Sequence, residues 1–438
     1  MKAVILAGGK GTRLGPLARD IPKSMVPVGG TPVLFHQLAL LRANGVMEVV
    51  LCVNHLAHVI KDAVGDGASL GMRITYVDDG VPAGTAGAVL RAAAYLNETF
   101  LVLYGDIMVA MDLRKLVAFH RSKKGVGTLV VHPTSHPHDS DLVDVDDASN
   151  IIAFSRPPHQ GRWHNLGSAA LYVLEPAALR HIREGFAEDF GRDVFPRMLA
   201  GEAALSAYNT PEYLRDTGTP ERFARVEEDH LAGRIAASRL PRRCVFLDRD
   251  GTLIEAVPFL NDPSQVRLLP DAADALKLLH EHGFLCVVVT NQPVIARGEC
   301  TPAQLVEIHK ELEMQLGMRG AFVDAIHHCP HHPDAGHPGE VPSLKVACAC
   351  RKPAPGMLLQ AARGLNIDLA TSFMVGDSWR DIEAGTAAGC TSIGVKTGEG
   401  CKDCAQVPQL VDSLLDAARR IIATSRSDEA ASQRATRL

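Results

Sequence analysis

The chain has 438 residues, 46% of them hydrophobic and 22% charged, with a net charge of −5. At about 150 residues per domain this predicts two or three domains, and the acidic balance argues against a general nucleic-acid binder. No purely apolar run is longer than Phe284–Val289, far below a membrane span. The opening Ala3–Ala7 run passes straight into Gly8-Gly9-Lys10 and lacks the form of a signal peptide. A cytoplasmic protein is expected, with neither nucleic acid nor membrane as partner and its oligomeric state left open.

In chain order, β-rich runs at Lys2–Ala7, Val49–Val53, Arg73–Val77, Phe100–Tyr104 and Gly127–Val131 alternate with helical stretches such as Thr31–Asn44 and Gly87–Leu96. Such alternation predicts βαβ units and a mostly parallel sheet. A charged, Ala-rich helix over Glu221–Arg243 follows, and the rhythm restarts at Cys244–Leu247, Leu285–Thr290, Ser372–Val375 and Thr391–Val395. The fold class is therefore α/β, with a first domain over residues 1–235, a linker over 236–243, a second domain over 244–425 and a disordered tail over 426–438.

The first strand feeds a turn rich in glycine: Gly8, Gly9 and Gly11, then Thr12 and Arg13. Glycines let backbone N–H groups approach phosphate oxygens that a Cβ would hold off. Arg13 and Lys23 add positive charge, and residues 1–24 also carry Lys2, Lys10 and Arg19 against Asp20 alone. The string from Gly8 to Leu14, followed by Pro22-Lys23-Ser24-Met25-Val26-Pro27, resembles the sugar-1-phosphate nucleotidyltransferases over roughly residues 1–230. The resemblance implies a Rossmann-like domain with a mixed, mostly parallel sheet. It also implies phosphate binding by Gly8, Gly9, Gly11, Thr12, Arg13 and Lys23, and a Mg²⁺ held by Asp106 and Asp216. Gly84, Thr85 and Gly87 would contact nucleotide and sugar, and Asn165 with Gly167 the sugar. Ser155-Arg156-Pro157 stands where that family has Glu-Lys-Pro, leaving the sugar open. Asp20-Ile21-Pro22-Lys23 is most similar to the heptose-1-phosphate guanylyltransferase branch.

Asp248 and Asp250 sit two apart after a β-rich run, so in an extended strand their carboxylates share a face and repel unless a cation intervenes. Such a pair supports a carboxylate nucleophile beside an acid/base. With Thr290-Asn291, Arg351-Lys352 and Asp377 it resembles the haloacid dehalogenase (HAD) type phosphatases over about residues 243–400. The resemblance implies Asp248 as nucleophile, Asp250 as acid/base, and Thr290 and Asn291 on the phosphoryl group. Arg351 and Lys352 would be substrate-side cations, and Mg²⁺ would lie on Asp248, Asp250 and Asp377 with Asp381 in support.

Nine of the ten cysteines lie from Cys244 onward. Cys329, His331, Cys348 and Cys350 offer three thiols and an imidazole for one structural Zn²⁺, as in the zinc loops of heptose-bisphosphate and histidinol phosphatases. Cys401 and Cys404 are read as reduced thiols, and Pro293-Val294 departs from the Ser-Gly of stand-alone heptose phosphatases. Together the resemblances imply a bifunctional enzyme of NDP-heptose biosynthesis using Mg²⁺ and Zn²⁺. One activity would dephosphorylate heptose 1,7-bisphosphate at C7, and the other would transfer a nucleotidyl group from an NTP, GTP in the first instance, to heptose 1-phosphate. The alternatives are a hexose-1-phosphate transferase joined to another sugar or histidinol phosphatase, or a silent nucleotide-sensing module regulating the phosphatase.

Overall fold

The computed structural model describes residues 1–78, 80–336, 338–402 and 409–435, with side chains through 426. It divides into two units. Met1–His132, Ser140–Pro157 and Leu166–Leu240 form the first; Pro133–Asp139, Pro158–Asn165 and Pro241–Leu438 form the second. The division after Leu240 falls inside the stretch read as a linker, while residues 133–139 and 158–165 group with the second unit. Cys404 lies outside the described residues.

In the first unit Lys2–Leu6 is a central strand of a nine-stranded sheet, with Glu48–Val53 and Phe100–Tyr104 parallel on either side and Arg73–Asp78 parallel beyond. A strand covered on both faces reads as a continuous apolar run, and Ala3, Val4 and Ile5 are all fully buried. Ile5 packs into a core with Leu34 and Leu38; Val4 points into the opposite one with Val89 and Leu96. Gly167–Leu174 pairs antiparallel with Phe100–Tyr104, which makes the sheet mixed. A separate antiparallel pair sets Ile107–Ala110 against Tyr213–Asp216.

The second unit has a six-stranded sheet, all parallel, in the order Ala325–Cys329, Leu285–Asn291, Cys244–Leu247, Phe373–Gly376, Thr391–Val395, Leu410–Val411. Asp248, Asn291, Cys329 and Asp377 therefore sit at or just past carboxyl ends of neighbouring strands, where open parallel sheets place their ligand crevices. Helix starts here are well capped. Thr301 and Gln304 form a capping box before Pro302–Gly317, and Ser378 and Asp381 form another before Trp379–Ala388.

Three boundaries differ from the sequence reading. The helix expected over Gly87–Leu96 begins earlier, at Gly84, and its continuous turn ends at Arg91. The helix expected over Glu221–Arg243 is two pieces, Pro220–Leu231 and Arg234–Ala237, because Gly233 adopts a left-handed φ of 72° between them. The tail expected from 426 is helical through Ala435, in keeping with a composition of Ala, Arg, Glu and Gln that favours helix. Among the described residues no helix is long and apolar enough to cross a membrane.

Candidate active sites

In the first unit, the strand Lys2–Leu6 delivers Gly8 and Gly9 to the wall of a cleft of about 570 Å³, lined also by Lys10, Arg13, Lys23, Asn54, Gly84, Thr85, Tyr104 and Asp106. Gly11 has a φ of 65°, and a Cβ there would lie 3.0 Å from Ala18 Cβ and 3.2 Å from Lys23 Cβ. Its smallness sets how closely Lys23 approaches the loop. Gly11 and Thr12 do not line the cleft themselves.

The hairpin-like pair brings the two aspartates together. Asp216 lies opposite Ile107 in register, next to Asp106, and Thr217 donates from both its N–H and its hydroxyl to the Asp106 carbonyl at 2.7 and 2.8 Å. Lys23 Nζ is ion-paired with Asp106. Asp216 accepts from the Gly218 N–H at 2.8 Å and from Arg222 at 2.7 Å. A Cβ on Gly218 would stand 2.7 Å from Asp216 Oδ1, 3.2 Å from Lys23 Nζ and 3.4 Å from Arg13 Nη2. One carboxylate and two cations thus converge on a bare Cα. Asp106 lines the open cleft, and Asp216, which does not line it, lies next to it across the strand pair; carboxylates so placed suit Mg²⁺, which takes few protein oxygens and keeps the rest for phosphate and water.

Gly84 has a φ of 74°, and a Cβ would meet the Glu188 carbonyl at 2.2 Å. Thr85 lines the cleft, but its hydroxyl donates to Asp189 at 2.7 Å. Gly87 is buried in the helix and Gly167 in its strand, neither on the cleft wall. Asn165 does not line the cleft either: it is 2% exposed, belongs to the second unit, and bonds both ways to the Thr134 backbone.

In the second unit Lys352, 2% exposed, donates to Asp248 at 2.9 Å and to Asp381 at 2.5 Å. Oxygens of Asp248, Asp377 and Asp381 lie within 4.8 Å of one another. Burial, then Asp381, pushes Asp248 up to about 8 against the pull of Lys352. Burial pushes Asp377 up to about 6. Burial works against the charge on Lys352, but Asp248 and Asp381 outweigh it and raise its pKa. Burial and crowding that raise Asp248 and Asp377 are the arrangement a divalent cation relieves, so the residues fit Mg²⁺.

One expectation is corrected here. The Asp250 carboxylate is not in that cluster; it turns to the buried Arg249 guanidinium and to Gln292, because a fully buried cation requires an anion. Asp381 takes the third place beside Asp248 and Asp377. The Asn291 amide donates one N–H to the Lys352 carbonyl and accepts from the Lys352 N–H, both at 3.0 Å, which leaves its second N–H for a phosphoryl oxygen. It fixes the lysine backbone. Thr290, 1% exposed, accepts from Gln292 at 2.8 Å.

Cys329, His331, Cys348 and Cys350 cluster with donor atoms within 4.8 Å. The close pairs are 3.2 to 3.6 Å apart, near the edge of about 3.7 Å that a tetrahedron with Zn–S bonds of about 2.3 Å requires. The donor set therefore fits Zn²⁺. Arg351, next to Cys350, donates to the His331 carbonyl at 3.2 Å, so the loop holding the cluster also holds the residue before Lys352. Sequence reasoning passed over Arg249 and Gln292 as site residues; an arginine between two acids looks like an ordinary surface charge until its burial is known.

A nucleotidyl transferase family model matches residues 2–233 and a HAD-hydrolase-like model matches 349–417. The chain is 36% identical over 233 residues to a mannose-1-phosphate guanylyltransferase of Mycobacterium tuberculosis, covering 53% of this chain and 65% of that protein. It thus spans just under two thirds of that relative's length. It is 43% identical over 156 residues to the D-glycero-beta-D-manno-heptose-1,7-bisphosphate 7-phosphatase of Yersinia pestis, covering 35% of this chain and 81% of that one. The crystal structure of HddC from Yersinia pseudotuberculosis complexed with GMP-PN superposes with a TM-score of 0.46 at 25% identity, over 52% of this chain and 99% of HddC. The chain belongs to the nucleotidyl transferase family, and joins that module in one polypeptide to a phosphatase module of the HAD type.

Proposed function

We propose that the second unit removes the 7-phosphate from D-glycero-D-manno-heptose 1,7-bisphosphate and that the first transfers a guanylyl group from GTP to the resulting heptose 1-phosphate. What supports the pairing is the 43% identity of the second unit to a heptose-bisphosphate phosphatase in a chain whose first unit is of the transferase family. The product of one module is then a sugar 1-phosphate, the substrate class of the other.

In the phosphatase step an Asp248 oxygen attacks phosphorus, the ester P–O bond breaks, and the departing sugar oxygen takes a proton from Asp250. Water then attacks the aspartyl phosphate and gives its proton to Asp250, and the Asp248–phosphate bond breaks to release inorganic phosphate. Mg²⁺, when bound by Asp248 and Asp377 with Asp381 beside them, supplies positive charge for the transferring phosphoryl group. Lys352 balances nucleophile and phosphate, and Arg351 and Asn291 hold it in place. In the transferase step a heptose phosphate oxygen attacks the α-phosphorus of GTP and pyrophosphate leaves. Arg13 and Lys23 face the phosphates, and Asp106 and Asp216 would carry Mg²⁺ there.

The mannose-1-phosphate guanylyltransferase relative favours a second reading in which mannose 1-phosphate is the acceptor. Supplying GTP with heptose 1-phosphate or mannose 1-phosphate and measuring pyrophosphate release separates the two. Asp248→Asn should abolish phosphate release from the bisphosphate while pyrophosphate release persists, and Lys23→Ala should do the reverse. Loss of both activities in either variant, or GTP binding without turnover of any sugar phosphate, contradicts the proposal.

A further inference from the structure

Arg249 is fully buried, at 0% exposed, in the turn between the two motif aspartates. Its guanidinium grips Asp250 two-pronged: Nε and Nη2 reach Oδ1 at 3.3 and 3.0 Å, and Nη2 reaches Oδ2 at 2.9 Å. Gln292, 3% exposed, donates from Nε2 to Asp250 Oδ2 and to Thr290 Oγ1, both at 2.8 Å. Its own backbone is pinned by donating to the Cys329 carbonyl at 2.8 Å. The Asp250 side chain, by contrast, is 30% exposed. All these donors come from inside the protein, leaving the rest of the carboxylate accessible.

We propose that Arg249 and Gln292 are positioning residues for Asp250, fixing the buried edge of its carboxylate so that the exposed edge meets the ester oxygen of the substrate. The inference rests on the phosphatase reading above, in which Asp250 exchanges the proton. Two features favour this over a purely structural tie. Arg249 Nη1 is buried with no hydrogen-bond partner among the described residues, a cost that a packing role would avoid with an apolar side chain. Gln292 also spends its amide on two groups the reaction uses, Asp250 and Thr290, instead of on neighbouring backbone.

The distinguishing readout is dependence on the leaving group. A sugar oxygen must be protonated as it departs, whereas p-nitrophenolate leaves unaided. Gln292→Leu should lower kcat/KM, which ends at aspartyl phosphate formation and excludes the later hydrolysis shared by both substrates, by about 30-fold or more on heptose 1,7-bisphosphate and by less than about threefold on p-nitrophenyl phosphate, since misplaced acid catalysis forfeits part of a contribution of 10² to 10⁴. Arg249→Lys, which keeps the charge but loses the two-pronged grip, is the second variant and should show the same split if Gln292→Leu proves insoluble. Parallel loss on both substrates, or no loss on either, overturns the inference. An Asp250→Asn variant that keeps full turnover of the heptose ester overturns the phosphatase reading itself, and this inference with it.

Discussion

Magnesium binding in the phosphatase cleft should release about one proton at pH 7. Asp248 sits at about 8 and Asp377 at about 6, burial being the first cause of both. At pH 7 a group at 8 is about nine-tenths protonated and one at 6 about one-tenth, so together they hold about one proton that a cation must displace. The sign follows from both values lying above the ordinary carboxylate value of 3.8. The folded, metal-free cleft keeps protons that the unfolded chain has already given up, so its stability falls as pH rises from about 4 to about 8. Apparent magnesium affinity should therefore weaken about tenfold for each pH unit below about 8, and more steeply below about 6 where Asp377 joins. Calorimetry in two buffers of different ionisation enthalpy, without nucleotide, reads the released proton directly. Asp248→Asn should remove most of it, which assigns the signal to this cleft and not to Asp106 and Asp216. Magnesium binding with no proton release at pH 7 and a flat affinity between pH 6 and pH 8 would refute the reasoning.

Gly218→Ala places a methyl 2.7 Å from Asp216 Oδ1 and 3.2 Å from Lys23 Nζ; nucleotidyl transfer should fall about 10²-fold, the cost of displacing groups that must be held in line, while phosphate release from the same sample is unchanged. Cys348→Ser should lose bound zinc by elemental analysis and most phosphatase turnover, because the loop that holds Arg351 and Lys352 loses its anchor; full turnover without zinc would contradict this. Glu188, 1% exposed, is held at about 2 by hydrogen bonds from Arg197 and then Arg183, against the opposing effect of burial. Its folded value is depressed from 4.5, so its stabilising contribution is present above pH about 4.5 and lost as pH falls toward 2. The melting difference between the native chain and Glu188→Gln should accordingly shrink below pH 4.5.

The parallel strands were legible as short β-rich runs alternating with helical stretches: Phe100–Tyr104, Cys244–Leu247 and Thr391–Val395 begin and end where their sequence predicts. The antiparallel pair Ile107–Ala110 with Tyr213–Asp216 was not, since nothing local in four-residue segments about a hundred positions apart announces their pairing. Yet that pairing is what sets Asp216 beside Asp106. In the phosphatase cleft residue types told which groups could act but not where each points. Asp250 lies two residues from Asp248, and only the burial of Arg249 explains why its carboxylate turns away from the cluster. Asn291 reads as a phosphate ligand, but nothing in its sequence shows that its amide also ties down the Lys352 backbone. The Cys/His cluster was accessible from spacing because thiols and imidazole have few other reasons to gather in one loop.

The most direct measurement supplies the full chain with Mg²⁺, GTP and D-glycero-D-manno-heptose 1,7-bisphosphate, in α and β forms separately, and follows products by mass spectrometry. Two modules acting in sequence predict inorganic phosphate, pyrophosphate and a GDP-heptose from at least one anomer, with heptose 1-phosphate accumulating when GTP is withheld. Formation of phosphate with no nucleotide sugar from either anomer, whichever nucleoside triphosphate is supplied, would contradict it.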